Sequence, residues 1–347
     1  MKLTLHRFRL PLEHVFTISR ESKAFQSCLV VELSANGVSG FGEAPDEAFY
    51  GHSVDSLVAA VRDVEPVLAD YEFGSPEDLW ETLQSRMAGN LFALSAIDIA
   101  AHDLFGRLKR KPLHEMWDLP WENVPKSSYT IGIDRIETMV AKLMQRPDWP
   151  IYKIKLGTPD DIEIVRELRR HTDAVFRVDA NCAWSVEEAI ENSKALAELE
   201  VEFIEQPLPR AASREDHLRV FDGSALPLMA DENCQTESDV ERCHGLFHGI
   251  NVKLCKCGGL TPALRMLRRA RTLGMKTMLG CMVESSVGIS AAAHLSPLLD
   301  YADLDGAVLI AKDPAVGVKM ENGTIQLVDA SGSGVELVPE VAAELAD

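Results

Sequence analysis

Charged and amide residues end a series of short apolar runs in the second half of the chain. They are Lys153, Lys155, Asp179, Asn181, Glu205, Asp231, Glu232, Lys253, Asp303 and Asp305. A charge next to an apolar run is costly when it has no partner. We therefore expect these residues to lie together and to form one polar site.

Three carboxylates, Asp179, Glu205 and Asp231, each follow a separate apolar run. Side by side they would repel one another and raise each other's pKa values. Mg²⁺ relieves such repulsion, because it takes carboxylate oxygens as ligands and keeps positions for water or substrate. The pattern predicts one Mg²⁺ per subunit, held by these three residues. An acidic residue after a strand can also cap the next helix, and this alternative is open for any one of the three.

Two lysines flank the three carboxylates along the chain, Lys155 before them and Lys253 after them. Lys153 lies two residues before Lys155 in IYKIKLG, and strand residues two apart point to the same face. We expect the ammonium of Lys153 and a bound cation to lower the pKa of Lys155, which would then act as a general base. Lys253 would return a proton from the opposite side. For Lys153 alone, a surface or salt-bridged lysine is the alternative.

The apolar runs alternate with helical segments from about residue 125 onward. The strand candidates are SYTIGI, IYKIKLG, AVFRVDAN, VEFIEQP, LPLMADE, GINVKLC, KTMLGCM and YADLDG. Regular alternation of this kind predicts parallel strands joined by crossover helices. Eight such strands favour a barrel, in which catalytic residues lie at the C-terminal ends of the strands.

The first part of the chain has a different order, with strand-like runs before helical segments. Asn36-Gly37 separates two strand-like runs and predicts a hairpin. The segment VFTISRESKAF is polar and predicts a loop. We predict an α+β unit over residues 1–120, a barrel over 121–325, and a return of residues 326–347 to the N-terminal unit.

The composition indicates a globular protein with a strongly acidic balance. The chain has 347 residues, 46% of them hydrophobic, and a net charge of −19. This charge disfavours nucleic acid and anionic membranes as partners, and no apolar run approaches the roughly 20 residues that cross a bilayer. The seven cysteines are irregularly spaced, which indicates reduced thiols. The N-terminus lacks the pattern of a signal peptide, so we expect a cytoplasmic protein.

The motifs KIK, DAN, EQP, ADE and VKLCKCGG resemble, in order and spacing, those of the enolase superfamily, specifically its muconate lactonizing enzyme subgroup. The resemblance covers essentially the whole chain, including GEA of the N-terminal hairpin and the helix SAIDIAAHDLFGRL. It implies an α/β fold in which an α+β capping domain covers a (β/α)7β modified TIM barrel. It also implies lysine-mediated proton transfer through an enolate whose charge Mg²⁺ stabilises. Asn181 and Glu232 would support the metal ligands from beside them. The resemblance further implies a homo-oligomer.

Within the subgroup, DLD at residues 303–305 resembles the Asp-x-Asp of dipeptide epimerases. In those enzymes both carboxylates hold the free α-ammonium of the substrate, and alternation would put Asp303 and Asp305 on one face. The resemblance therefore implies an isomerase that moves the α-proton of a dipeptide's C-terminal residue. Arg20 matches a loop arginine that contacts the glutamate side chain in Ala-Glu epimerases, and Met282 is expected to line the pocket. L-Ala-D/L-Glu, a product of peptidoglycan turnover, is the preferred substrate.

Other functions are open at this stage. Another dipeptide would use the same residues, and Arg20 could be a solvated surface charge. An N-succinyl amino acid racemase, an o-succinylbenzoate synthase or a cycloisomerase would keep the fold but leave Asp303 and Asp305 without an ammonium partner. A Schiff-base lyase would use one barrel lysine and no metal. A non-catalytic binding protein would need neither lysine.

Overall fold

The computed structural model describes residues 1–346. Its N-terminal part is a three-stranded antiparallel sheet followed by helices. The strands are β1 (Lys2–Ile18), β2 (Glu21–Ala35) and β3 (Val38–Pro45). A 3-10 turn (Ala48–Tyr50) precedes helices α1 (Val54–Asp63), α2 (Glu65–Asp70), α3 (Pro76–Leu83), α4 (Leu91–Lys109) and α5 (Leu113–Met116). Asn36 and Gly37, with φ of 53° and 76°, form the predicted turn between β2 and β3.

The prediction of a polar loop over VFTISRESKAF is wrong. Strands β1 and β2 stay paired through this segment, with Phe16 opposite Lys23 and Ile18 opposite Glu21. Ser19 and Arg20 form the turn. Most side chains of this end of the hairpin are exposed or half-buried, so no alternation of apolar residues marks them as strand. We call residues 16–23 the cap hairpin.

The second part of the chain is a barrel of parallel strands that neighbour one another in chain order. The strands are β4 (Tyr129–Ile131), β5 (Ile151–Lys155), β6 (Val175–Asp179), β7 (Val201–Glu205), β8 (Leu228–Ala230), β9 (Gly249–Val252), β10 (Lys276–Gly280) and β11 (Tyr301–Asp303). A parallel bridge between Ser127 and Ala302 closes the barrel beside β4 and β11. All eight strand predictions are confirmed.

Helices connect successive strands on the outside of the barrel. They are α6 (Ile136–Met144), α7 (Asp161–Arg169), α8 (Val186–Glu198), α9 (Arg214–Gly223), α10 (Glu237–Cys243), the short α11 (Leu254–Cys257), α12 (Leu260–Thr272) and α13 (Ser286–Ala293). Only a 3-10 turn (Gly306–Val308) follows β11, where an eighth crossover helix would otherwise stand. The architecture is the predicted (β/α)7β barrel with an N-terminal α+β domain.

The C-terminal segment contacts both parts of the molecule. It contains β12 (Ala315–Val316), β13 (Lys319–Glu321), β14 (Thr324–Gln326), β15 (Glu336–Leu337) and α14 (Pro339–Leu345). Gly323 at the β13–β14 turn accepts a hydrogen bond from the Ser127 amide at 2.8 Å, whereas the amide of Leu113 donates to Gly332 at 3.0 Å. The domain boundaries at 120/121 and 325/326 stay predictions.

Alternation along the strands separates the core from the site. Tyr152 and Ile154 of β5 pack in the hydrophobic layer that includes Leu168 of α7. Lys153 and Lys155 therefore face the barrel interior. Within residues 1–346, no helix is long and apolar enough to cross a membrane.

Two buried carboxylates of the N-terminal domain cap helices of the barrel. Glu43 of β3 accepts hydrogen bonds from the Ser285 amide at 3.0 Å and the Gly288 amide at 3.1 Å, at the start of α13. Asp98 of α4 accepts from the amide and hydroxyl of Thr261 at 2.9 and 2.7 Å, at the start of α12. A carboxylate satisfies otherwise unpaired N–H groups at a helix N-terminus, so these contacts hold the N-terminal domain against the barrel.

Candidate active site

The C-terminal ends of neighbouring barrel strands lie level with one another. Lys155 is in register with Asp179, and Asp179 with Glu205. Asp231 follows the last residue of β8. The level register turns residues that are 24 to 26 positions apart in the chain into one layer of side chains. The sequence-based expectation of a shared polar site is met for these residues.

The three predicted metal ligands form a compact, buried group. One carboxylate oxygen from each of Asp179, Glu205 and Asp231 lies within 4.8 Å of the others. Burial and the neighbouring Asp179 raise the pKa of Glu205 to about 7, although the Lys153 ammonium lies 2.8 Å from Glu205 Oε2. An all-oxygen donor set of this kind suits a hard divalent cation such as Mg²⁺. The residues present therefore fit the predicted metal.

The two predicted catalytic lysines lie on opposite sides of the carboxylate group. Lys155 Nζ is 2.7 Å from Asp179 Oδ2, and Lys253 Nζ is 2.9 Å from Asp231 Oδ2. Strands β5 and β9 are four strands apart in the eight-stranded barrel, so the two amines approach from opposite walls. Burial lowers the pKa of Lys253, but Asp231 outweighs this effect and raises it overall. The tuning of Lys155 by Lys153 stays a prediction.

Lys153 occupies the interior of the barrel below this layer. Its Nζ is 2.8 Å from Asp303 Oδ2, 2.8 Å from Glu205 Oε2 and 3.2 Å from Asp179 Oδ2. Its side chain is 2% exposed, which excludes the surface alternative. Burial lowers the pKa of Lys153, but the carboxylates, Asp303 first, raise it well above the ordinary value. Lys153 is a fixed positive charge in a salt-bridged cluster.

Asp303 and Asp305 line one wall of the cleft, but their surroundings differ. Asp303 accepts hydrogen bonds from the Ser128 hydroxyl and from Lys153. Asp305 Oδ2 accepts from the Thr130 amide at 2.6 Å. Burial and the nearby Asp303 raise the pKa of Asp305 to about 7. This wall of the cleft thus carries two carboxylates, and their binding of a cationic substrate group stays a prediction.

Arg20 joins the cap hairpin to the barrel. Its Nη2 lies 3.0 Å from Glu232 Oε1, and its Nη1 donates to the Asn181 carbonyl at 3.4 Å. The guanidinium also lies over the Phe49 ring, 4.0 Å from the centroid. Arg20 is therefore ion-paired rather than solvated. The structure brings Arg20, Asn181 and Glu232 together at the cleft, and contact of Arg20 with a substrate stays a prediction.

The cleft lies between the cap hairpin and the ends of the barrel strands. Predicted residues that line it are Arg20, Lys153, Lys155, Asn181, Glu232, Lys253, Met282, Asp303 and Asp305. Apolar side chains from both domains, including Phe16, Ile18 and Leu309, complete the walls.

Three residues that support the carboxylates were not predicted from the sequence. Asn251 Nδ2 donates to Glu205 Oε1 at 2.8 Å. Gln206 Oε1 accepts from the Asp231 amide at 3.0 Å. Lys256 Nζ donates to both the side chain and the main chain of Asp231. A signal was available, because Gln206 and Lys256 lie inside the EQP and VKLCKCGG motifs and Asn251 shares a strand face with Lys253.

Comparison with known proteins gives the same family for both domains. A family model described as Mandelate racemase / muconate lactonizing enzyme, N-terminal domain, matches residues 3–117. A second model, described as Enolase C-terminal domain-like, matches residues 135–341.

Named relatives and solved structures are similar over nearly the whole chain. An L-Ala-D/L-amino acid epimerase of Flavobacterium johnsoniae is 51% identical over 97% of this chain and 100% of the relative. An L-Ala-D/L-Glu epimerase of Bacteroides thetaiotaomicron is 38% identical over 96% of this chain and 88% of the relative. The crystal structure of a dipeptide epimerase from Cytophaga hutchinsonii, complexed with Mg and D-Ala-L-Val, matches at 26% identity with a TM-score of 0.93, covering 99% and 97% of the two chains. The chain belongs to the enolase superfamily, in its mandelate racemase / muconate lactonizing enzyme branch.

Proposed function

We propose that the chain is a Mg²⁺-dependent dipeptide epimerase, an isomerase that inverts the α-carbon of a dipeptide's C-terminal residue. The observation that carries this proposal is the pair of lysines on opposite walls, Lys155 and Lys253, with three buried carboxylates between them. Inversion at carbon needs one group that removes a proton and another that returns a proton to the opposite face. A single-base site would not need the second lysine.

Asp179, Glu205 and Asp231 would hold the Mg²⁺. When bound, the cation supplies positive charge that stabilises negative charge developing on the substrate carboxylate. The remaining steps belong to the protein's own groups. One lysine takes the α-proton as a free amine, and the other gives a proton to the opposite face as an ammonium. The raised pKa of Lys253 suits the ammonium role in one direction.

Asp303 and Asp305 would orient the substrate by binding its α-ammonium. The named relatives and the dipeptide complex support this part of the proposal. An N-acylated substrate has no such ammonium, so an N-succinyl amino acid racemase is disfavoured. Oxygen ligands for a metal beside the lysines likewise disfavour a Schiff-base lyase.

The substrate that we propose first is L-Ala-D/L-Glu, because Arg20 could bind the glutamate carboxylate in the cleft. A second candidate is L-Ala followed by a wider range of residues. It is favoured by the 3.0 Å ion pair between Arg20 and Glu232, which already neutralises the guanidinium. The Flavobacterium johnsoniae relative carries a name of this wider kind.

Proton NMR in D₂O with Mg²⁺ and a panel of L,L-dipeptides tests the proposal. We expect loss of the C-terminal residue's α-proton signal and appearance of the L,D diastereomer, both abolished by EDTA. Exchange with L-Ala-L-Glu alone would support the first substrate, and exchange with several L-Ala dipeptides the second. No exchange with any dipeptide, alongside turnover of an N-succinyl amino acid, would overturn the function.

We further infer that the protein acts in the cytoplasm, in peptidoglycan turnover, and forms a homo-oligomer. All seven cysteines are free thiols in the structure, which supports a reducing compartment. The acidic net charge supports the absence of nucleic acid or membrane partners. Light scattering during size-exclusion chromatography tests the oligomer, and a monomeric mass would contradict it.

A further inference from the structure

Lys256 is a buried lysine outside the cleft. Its side chain has 0% exposure, and it is not among the residues that line the cleft. Its Nζ donates to the Asp231 carbonyl at 2.6 Å, the Cys234 carbonyl at 3.1 Å and the Asn251 carbonyl at 3.3 Å. It also donates to Asp231 Oδ1. The ammonium group is thus saturated by acceptors from two segments, the loop of residues 231–234 and strand β9.

The local fold explains why two lysines three residues apart have different surroundings. Lys253 follows β9 and caps α11, whose single turn carries Lys256 to the far side of Asp231. Gly258 and Gly259, with φ of 96° and 119°, then end this turn and allow α12 to start at once. These left-handed conformations favour glycine. Lys253 reaches the cleft, whereas Lys256 is buried beneath it.

The two lysines hold different oxygens of one carboxylate. Lys253 Nζ lies 2.9 Å from Asp231 Oδ2, and Lys256 Nζ contacts Oδ1. Lys256 thereby fixes the rotation of the carboxylate and leaves Oδ2 towards the site. A buried ammonium is costly unless its charge and donors are all matched. The full set of acceptors indicates that this position is built for a charged lysine.

The same lysine also acts on a second carboxylate. Lys256 binds the main-chain carbonyl of Asn251, and the side chain of Asn251 donates to Glu205 Oε1 at 2.8 Å. Hydrogen bonds thus link two of the three carboxylates to this one buried cation, Asp231 directly and Glu205 through Asn251. Groups that orient metal ligands in this way commonly change metal affinity about 10–100-fold when removed.

We propose that Lys256 is a positioning residue for the divalent cation, acting through Asp231 directly and through Asn251 on Glu205. The proposal rests on the Mg²⁺ part of the proposed function and is independent of which substrate is used. Its consequence is that loss of Lys256 weakens metal binding more than it impairs the proton-transfer lysines.

The test is a titration of metal-free protein with Mn²⁺, followed by electron paramagnetic resonance without any dipeptide. We expect Lys256→Met to raise the Mn²⁺ Kd at least about 10-fold and Lys256→Gln, which keeps amide donors, to raise it less. Lys142→Met is the matched control. Lys142 is a largely buried lysine of α6, and its Nζ lies 3.1 Å from Asp134 Oδ2. This control should leave the Kd within about twofold of the wild-type value.

Activity gives a second readout that a purely structural role would not produce. The Mg²⁺ concentration for half-maximal activity should rise in Lys256→Met, while kcat at saturating Mg²⁺ should recover to within about fivefold of wild type. An unchanged Kd in Lys256→Met would overturn the proposal. Unfolding of both Lys256 variants in saturating Mg²⁺ would also overturn it and assign Lys256 to the scaffold. Wild-type protein that binds no Mn²⁺ would instead reject the proposed metal itself.

Discussion

Lys153 Nζ lies 2.8 Å from Asp303 Oδ2, inside the barrel and out of contact with solvent. A lysine of β5 therefore neutralises one member of the Asp-x-Asp pair. Asp305 has no lysine within salt-bridge distance in residues 1–346 and accepts a hydrogen bond from the Thr130 amide at 2.6 Å. If both carboxylates bind the substrate ammonium as we propose, Asp303 would be shared between the lysine and the substrate, whereas Asp305 would be open to the substrate.

This asymmetry predicts different effects of the two asparagine substitutions. Asp305→Asn should raise the dipeptide KM about 10-fold or more, because a charged hydrogen bond contributes about 1.5–3 kcal/mol, and should leave the Mn²⁺ Kd unchanged. Asp303→Asn should alter both quantities, because Lys153 then keeps only Glu205 and Asp179 as charged partners and competes more strongly with the cation for their oxygens. Steady-state kinetics and Mn²⁺ titration of both variants measure this. Equal effects of the two substitutions on metal binding would contradict the assignment.

The ion pair between Arg20 and Glu232 predicts how substrate choice responds to mutation. If Arg20 binds a glutamate side chain, Arg20→Met should lower kcat/KM for L-Ala-L-Glu at least about 10-fold. The same substitution should lower kcat/KM for L-Ala-L-Met by less than about threefold. The comparison of kcat/KM for the two dipeptides is the measurement. Lys142→Met serves as the control for removal of a partly buried cation away from the cleft.

The result decides the role of Arg20. An equal loss for both dipeptides would show that Arg20 holds the cap hairpin against Glu232 and Asn181 rather than selecting the side chain. In that case the wider range of L-Ala dipeptides would be the better description of the substrate.

Glu284 predicts a pH-dependent stability. Burial, with a further contribution from Glu43, raises its pKa from 4.5 to about 8. The folded state therefore keeps the Glu284 proton over a range in which the unfolded chain has released it. Glu284 therefore does not lower the free energy of unfolding below pH 4.5, but lowers it progressively as the pH rises from 4.5 towards 8.

Glu284→Gln removes this titration. The variant should gain stability relative to wild type as the pH rises from about 5 to 8, by roughly 2–4 kcal/mol across that range. Urea unfolding at several pH values measures the difference, and Glu191→Gln, an exposed residue of α8, is the matched control. A difference between Glu284→Gln and wild type that does not change with pH would refute the prediction.

The barrel and the centre of its site could be predicted from sequence for a physical reason. Parallel strands are buried on both faces, so they are near-continuous apolar runs with clear ends. The residues at or just beyond those ends, such as Asp179, Glu205 and Asp231, are the ones that meet at the mouth of the barrel. The metal site could be predicted as well, because three neighbouring carboxylates need a compensating positive charge.

Other features depend on contacts that no local pattern encodes. The cap hairpin is strand because Lys23 and Glu21 pair across from Phe16 and Ile18, although none of its residues is fully buried. The partner of Arg20, Glu232, is 212 residues away in the chain. Lys256 resembles a surface lysine in sequence, but oxygen atoms from the loop after β8 and from β9 surround its buried ammonium.

The central claim is that Lys155 and Lys253 act from opposite faces of one α-carbon. It is tested most directly by solvent exchange in D₂O with Mg²⁺, using L-Ala-L-Glu and L-Ala-D-Glu separately, in Lys155→Ala and Lys253→Ala. We predict that neither variant interconverts the two diastereomers. Each variant should still exchange the α-proton of one diastereomer through its remaining lysine, and the two variants should exchange opposite ones. Interconversion at the wild-type rate in either variant, or exchange of the same diastereomer by both, would contradict the two-lysine account.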